Sequence, residues 1–335
     1  MKFSDLSLPI TEEEYRNMDC YSYSLLSKYE KVGFNGLDKL YEKIETPSLT
    51  FGSVVDTLIT SDDFSDKFVV YDIPSLSDTM NKIVNDIIEN CNINQTKKID
   101  DETILYFLDK YEYQKNWKNE TRLKVFKEKT FDIITFKLNE TRTIISNETY
   151  LKAIETVIKL RQSPVTNKYF GDFERETEEY YQLKFKTELN GLSYKAMIDK
   201  IVIDNNNKTI TLIDLKTTGY KEWEFYKPFV EYNYSIQARL YYRIIENIIK
   251  NTCYSDYSIK PFLFICINKD SLTPLIWECD FMKAVGELSF GTDKIVRFRD
   301  PETIAKELDY YLNEKPKIPK DVNEINNLRK FLEKL

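Results

Sequence analysis

The hydrophobic pattern changes period along the chain. Up to residue 62, apolar positions recur every three to four residues, the spacing of helices with one buried stripe. YSYSLLSKYEK, from Tyr21, reads as a first helix, and Asn35 or Gly36 breaks it from LDKLYEKIE. In TPSLTFGSVVDTLIT, Phe51, Val54, Val55, Leu58 and Ile59 share one helical face, with Asp56 at its border and Gly52 one turn earlier. Residues 75–170 keep helical spacing with polar breaks near 92–101 and 139–147, and read as a helical insertion. Its clearest helix starts at Glu148 and stops before Pro164.

The period then shortens to two. YYQLKFKTEL, YKAMIDKIVID and KTITLIDLKTT are successive strands, joined by NGLS and by the NNN tract, and predict an antiparallel meander. YNYSIQARLYYRIIENIIK follows as a strong helix, with Ile236, Leu240, Ile244 and Ile248 in one row and Gln237, Tyr241, Ile245 and Ile249 in the next. PFLFICINK and PLIWECDF are two further strands, and the remainder from Pro301 is helical with a break at Pro316 and Pro319. The order predicts one α/β domain over residues 1–335. Within it, 75–170 is the helical insertion, 171–280 the sheet core and 281–335 a helical tail.

Polar residues interrupt two of these strands. Side chains alternate between faces of a strand, so Ile210, Leu212, Asp214 and Lys216 share one face. On the strand before, Met197, Asp199, Ile201 and Ile203 are expected to share a face. Asp199 lies 15 residues before Asp214, across a hairpin whose strands are about 4.8 Å apart. The two carboxylates can therefore converge on one cation, with the main-chain carbonyl of Leu215 pointing into the same space. Hard oxygen ligands favour Mg²⁺ or Mn²⁺. Lys216 could orient or deprotonate a water, or stabilise charge on a phosphate, which is metal-assisted phosphodiester hydrolysis. Read singly, Asp214 and Lys216 also fit an ordinary ion pair at a strand end.

Composition narrows the chemistry. The chain has no histidine, which excludes Ser-His-Asp and Cys-His catalysis and His-ligated zinc. The 5 cysteines, at 20, 91, 253, 266 and 279, include no Cys-x-x-Cys pair, so disulfides, structural zinc and an iron–sulfur cluster are not expected. With 8 glycines there is no phosphate-cradling glycine loop. No apolar run approaches the roughly 18 residues of a membrane span. The N-terminal MKFSDLSLPITEEEY lacks the apolar segment of a secretory signal, so a cytoplasmic protein is expected. The net charge of −7 counts against a general nucleic-acid binder, yet Lys115 to Lys129 carries six basic and two acidic residues around Trp117 and Phe126. Lys115, Lys118 and Arg122 are there the candidates for nucleic-acid contact. The same stretch fits a solvated helix face with its apolar residues turned inward.

YKAMID with Asp199, followed by LIDLKTTG with Asp214 and Lys216, resembles the signature of the PD-(D/E)XK nuclease superfamily. SIQARLYY resembles the Gln-x-x-x-Tyr motif of its RecB-like branch at Gln237 and Tyr241, and FGSVVD resembles that branch's Gly-x-x-x-His motif with Asp56 in the place of histidine. CYSYSLL, the helix before RQSP and the spacing of DLKTTG to YSIQARLYY are most similar to the exonuclease VIII (RecE-like) group. The resemblance covers roughly residues 20–280, and the four-cysteine cluster of some RecB-like relatives is missing.

The resemblance implies a restriction-endonuclease-like core, a mixed central sheet flanked by helices. It implies catalysis by Asp199, Asp214, Lys216, Gln237 and Tyr241, with Asp56, Asp199, Asp214 and Leu215 around a Mg²⁺ or Mn²⁺ ion, Gln237 on a phosphate or near the attacking water, and Tyr241 orienting DNA. It also implies a homo-oligomer and a role in phage-type recombination beside a strand-annealing protein. The acidic surface points the same way: a chain of net charge −7 gains little from adhesion along a duplex, and holds DNA better in a channel that requires a free end. An end-dependent exonuclease on linear duplex DNA is therefore expected. The alternative is a noncatalytic nucleic-acid-binding or scaffold protein that retains a nuclease core. A phosphohydrolase of small nucleotides has no positive signal.

Overall fold

Capping residues start the first helices of this computed structural model, which describes residues 1–42, 46–60, 63–172, 176–279, 287–290, 294–313 and 322–332. Thr11 accepts from the Glu14 amide while the Glu14 carboxylate takes the Thr11 amide, a reciprocal cap that opens α1 (Glu12–Asn17). Ser22 caps α2 (Tyr23–Val32), which ends at Gly33 with φ of 63°. Phe34–Lys39 is a 3₁₀ helix where LDKLYEKIE predicted a second α-helix, and residues 43–45 of that stretch lie outside the described residues. The next helix is α3 (Pro47–Thr60).

The chain falls into two units, one of residues Met1–Thr60 with Glu155–Leu335, the other Ser61–Ile154. The second holds α4 (Phe64–Lys67), β1 (Phe68–Val70), α5 (Asp78–Ile93), α6 (Asp101–Lys110), α7 (Asn119–Asn139) and β2 (Thr143–Ile145). Its core joins Met80, Ile83, Ile87, Phe107 and Phe126, and β1 pairs in parallel with β2. The insertion thus runs over 61–154 and not 75–170. Two strands of three residues close it, too short to show a period. The chain continues through α8 (Asn147–Gln162) and α9 (Asn167–Phe170).

The sheet of the first unit follows the predicted meander. β3 (Glu178–Leu189) and β4 (Leu192–Asp204) are joined at Asn190 and Gly191, both at positive φ, between the paired Leu189 and Leu192. This is the tight hairpin that an Asn-Gly pair favours. β5 (Thr209–Thr218) pairs antiparallel with β4. After α10 (Tyr226–Glu231) and α11 (Tyr234–Ile249), the short β6 (Ser258–Ile259) and then β7 (Phe262–Asn268) return parallel to β5, and β8 (Pro274–Cys279) pairs antiparallel with β7. The order β3-β4-β5-β7-β8 makes a mixed sheet, with helices packed on it.

α11 lies over the sheet with Ile236, Leu240, Ile244 and Ile245 fully or almost fully buried, against Ile201, Ile203, Leu212 and Phe264. β9 (Glu287–Phe290) and β10 (Lys294–Arg297) form an antiparallel pair inside the stretch expected to be all helix, before α12 (Pro301–Asn313) and α13 (Val322–Leu332).

Candidate functional site

β4 and β5 part at Asp199 and Asp214. Their ladder runs from Asp204↔Thr209 to Lys200↔Ile213, and continuing it by one step would set Asp199 opposite Asp214. That pair is missing. β5 goes on beside β7 from Ile213↔Leu263 to Thr218↔Asn268, while β4 goes on beside β3. Asp199 Oδ2 accepts the Leu215 amide at 3.0 Å, so a side chain takes the bond that the separating strands no longer make. The N–H and C=O of a strand residue point to the same edge, so the Leu215 carbonyl also faces the gap.

On the α11 side of the gap, Asp214 is 2% exposed. The Lys216 ammonium lies 2.6 Å from Asp214 Oδ2, and the buried Gln237 donates its side-chain amide to Asp214 Oδ1. Asp214 and Lys216 therefore share a face, as alternation predicts. The Lys216 ammonium also sits 4.8 Å above the Tyr234 ring, which stacks on Phe264. Burial is the largest single influence and opposes the charge on Lys216, but Asp214, Tyr234, Asp199 and Tyr23 together outweigh it and hold the ammonium well above its ordinary range. Lys216 in this arrangement is a charged hydrogen-bond donor and the counter-charge of Asp214. Gln237 Oε1 is buried and accepts no hydrogen bond among the described residues, leaving one acceptor unpaired beside Asp214.

On the other side, Asp199 lines a pocket with Asp56, Ile59, Phe170, Tyr181, Lys200, Ile213 and Leu215. α3 packs on β5, and Gly52 is the reason it can come close: a Cβ there would stand 3.2 Å from Thr217 Oγ1. One turn on, that approach delivers Asp56 to the pocket. Burial, then the charge of Asp214, then that of Asp56 push the Asp199 carboxyl well above the usual carboxylate range. The expected Gly-x-x-x-Asp arrangement on α3 thus brings Asp56 to Asp199.

Alternation misplaces part of β4. Ala196, Ile198, Ile201 and Ile203 all lie in the core, so the buried face changes parity between 198 and 201, and Met197 is only half-buried. The partner strand breaks at the same level: Tyr181↔Lys200 and Leu183↔Ile198 pair, while Gln182, opposite Asp199, does not and has φ of 51°. The Gln182 side-chain amide donates to Asp56 Oδ2 at 2.7 Å. Gln182 is a neighbour of the candidate site that sequence reasoning missed. A glutamine in the middle of YYQLKFK carries no signal of its own.

Other candidates move. Tyr241 is 8% exposed, its ring edge-on to Phe262 in the core, so it packs between helix and sheet and does not present a face to DNA. Gln237 contacts Asp214 and is itself buried, so it braces the carboxylate instead of facing a phosphate. In the other unit Arg122 is 3% exposed and is held by Asp109, Asn119 and the Tyr113 carbonyl, a clamp at the start of α7 with no surface for phosphate. Phe126 is core, while Lys118, Trp117 and Lys115 are exposed, Lys115 paired with Glu112 at 3.1 Å.

No group of three carboxylate or thiol side chains is gathered closely enough to hold a metal ion among the described residues. Asp56 and Asp199 share one pocket, and Asp214 is turned to Lys216 and Gln237. The donors at the gap nevertheless suit a hard divalent cation. Apart from the Lys216 ammonium they are oxygens, two carboxylates stand at the level where the strands part, and Gln237 Oε1 is a buried acceptor without a donor among the described residues. Comparison of the chain with protein-family models and with curated proteins returned no match. None of the helices of the described residues is long and apolar enough to cross a membrane.

Proposed function

We propose that the chain is a Mg²⁺- or Mn²⁺-dependent nuclease of the PD-(D/E)XK kind that hydrolyses phosphodiester bonds in DNA. The observation that carries the reading is the parting of β4 and β5 at Asp199 and Asp214, with Lys216 two residues on and Gln237 bracing Asp214 from α11. Asp199, Asp214 and the Leu215 carbonyl would hold the cation, with Asp56 as a further carboxylate. When bound, such an ion polarises a phosphoryl oxygen and eases loss of a proton from water.

The chain's own residues have separate tasks. Lys216, kept charged by Asp214, neutralises the developing negative charge on a phosphate. Gln237 keeps Asp214 Oδ1 in place. Tyr234 supports the Lys216 ammonium from below. Tyr241 sets the helix against the sheet.

The net charge of −7 favours an enclosed DNA path and hence a free end, so linear duplex is the proposed substrate. A homo-oligomer and a strand-annealing partner belong to the same proposal through the resemblance in the motifs. The test is end-labelled linear duplex against covalently closed circles of the same DNA, with Mg²⁺ at moderate salt, products resolved over time. Shortening from the ends of linear DNA alone is the expected result. Equal cutting of circles would replace exonuclease by endonuclease. Binding without cleavage under Mg²⁺ and Mn²⁺ would favour the noncatalytic binder.

A further inference from the structure

Gln182 breaks the regularity of β3 at the level of the site. A left-handed backbone is unusual for a residue with a side chain, and here it lies in the middle of a twelve-residue strand where no turn requires it. Such outliers persist where the surroundings over-determine them, and they gather at functional positions. The consequence at Gln182 is visible. The ladder omits the Gln182↔Asp199 step, both strands exchange their buried faces there, and the Gln182 amide reaches Asp56 Oδ2 at 2.7 Å. One irregular residue thus frees Asp199 to bond the Leu215 amide and anchors the carboxylate that shares its pocket.

We infer that Gln182 is a positioning residue, whose side-chain amide holds Asp56 in register with Asp199 so that an aspartate on α3 serves as a metal ligand. This rests on the metal-dependent reading above. A carboxylate on a helix has rotamer freedom, and pinning one oxygen selects the orientation of the other. Partners of this kind typically contribute about 10- to 100-fold to metal affinity.

The test is calorimetric titration of Mn²⁺ into the full-length chain without DNA, for the parent, Gln182→Leu, Gln182→Gly, Asp56→Asn and Asp199→Asn, beside thermal melts. Gln182→Leu removes the donor at nearly constant volume. Gln182→Gly also removes it and suits the left-handed backbone, so it keeps or raises the melting temperature. Both are expected to weaken Mn²⁺ binding about tenfold. Combined with Asp56→Asn, neither is expected to weaken it further. Parent-like affinity in Gln182→Gly, or losses that simply add to that of Asp56→Asn, would overturn the positioning role while the metal site stands. A parent that binds Mn²⁺ no better than Asp199→Asn would remove the metal reading and this inference with it.

Discussion

Asp199 and Asp214 look alike in sequence, yet their removal is expected to change stability in opposite directions. Asp214→Asn keeps an acceptor for Gln237 but takes the counter-charge from the Lys216 ammonium, whose side chain is 20% exposed. Breaking a fully buried ion pair from one side costs about 3–5 kcal/mol. The partial access of Lys216 lowers the expectation to about 2–3 kcal/mol. Asp199→Asn keeps an acceptor for the Leu215 amide and removes a charge that Asp214 and Asp56 repel. Two charges about 5 Å apart at an effective dielectric near 20 repel by about 3 kcal/mol at most, and solvent access with the opposing attraction of Lys216 leaves about 1 kcal/mol. Asp199→Asn is therefore expected to stabilise the metal-free protein by about 1 kcal/mol.

Urea unfolding at pH 7 in a chelator measures both. Adding Lys216→Met to Asp214→Asn is expected to return stability to within about 1 kcal/mol of the parent, since replacing a whole buried pair is often neutral. Repeating the series in divalent cation at about 100 times its dissociation constant would stabilise the parent by about 2.7 kcal/mol and either single variant by much less. Equal destabilisation by Asp199→Asn and Asp214→Asn would refute the repulsion argument. Failure of Lys216→Met to rescue would refute the ion-pair argument.

Gln237→Leu is expected to lower kcat with little change in KM and to cost only about 1 kcal/mol, because the unpaired Oε1 is removed together with the donor; a raised KM at constant kcat would mean phosphate contact instead. Gly52→Leu is expected to destabilise by about 1–3 kcal/mol through overpacking against Thr217 and to weaken Mn²⁺ binding by moving Asp56, and unchanged Mn²⁺ affinity in calorimetry would contradict that coupling. Asp300 caps α12 and pairs with Arg239 at 3.0 Å and Arg243 at 2.6 Å; burial works against its charge, but Arg243 and Arg239 depress its carboxyl. A depressed folded value stabilises above the unfolded one, about 3.9, and is lost as pH falls through the folded value, so Asp300→Asn is expected to cost about 1–3 kcal/mol at pH 7 and progressively less below about pH 4 in urea melts.

Much of the sheet was legible because its turns and alternation obey local rules. Asn190-Gly191 announces its hairpin, and Ile210, Leu212, Asp214 and Lys216 keep one face from end to end. β4 was legible only in part. Its face changes at Asp199, and the cause is a glutamine on the neighbouring strand, with no glycine or proline to mark it. The basic run from Lys115 misled for a related reason. Arg122 is of a residue type usual at the surface, but Asp109 and the Tyr113 carbonyl, from the segment before α7, and Asn119 on its own helix bury it as a clamp. Tyr241 and Gln237 share a row of α11, and only tertiary packing decides that one meets Phe262 and the other Asp214.

The absence of histidine gives these irregularities a common sense. An imidazole brings a neutral nitrogen ligand whose ring is aimed by one hydrogen bond to its other nitrogen. Where the resemblance would place that imidazole, Asp56 adds negative charge beside Asp199, and the charge must be answered by position. Asp214 is answered by Lys216 on its own strand. Asp199 is answered by the Leu215 amide across the gap. Asp56 is answered by the amide of Gln182, reached only because that residue takes a left-handed backbone. Gln237 adds a second donor to Asp214 from α11, and the Leu215, Lys216 and Gln182 donors come from β5 and from β3, the strand on the far side of β4. In the proposed function, these donors would hold the carboxylates for a divalent cation while offsetting their mutual repulsion.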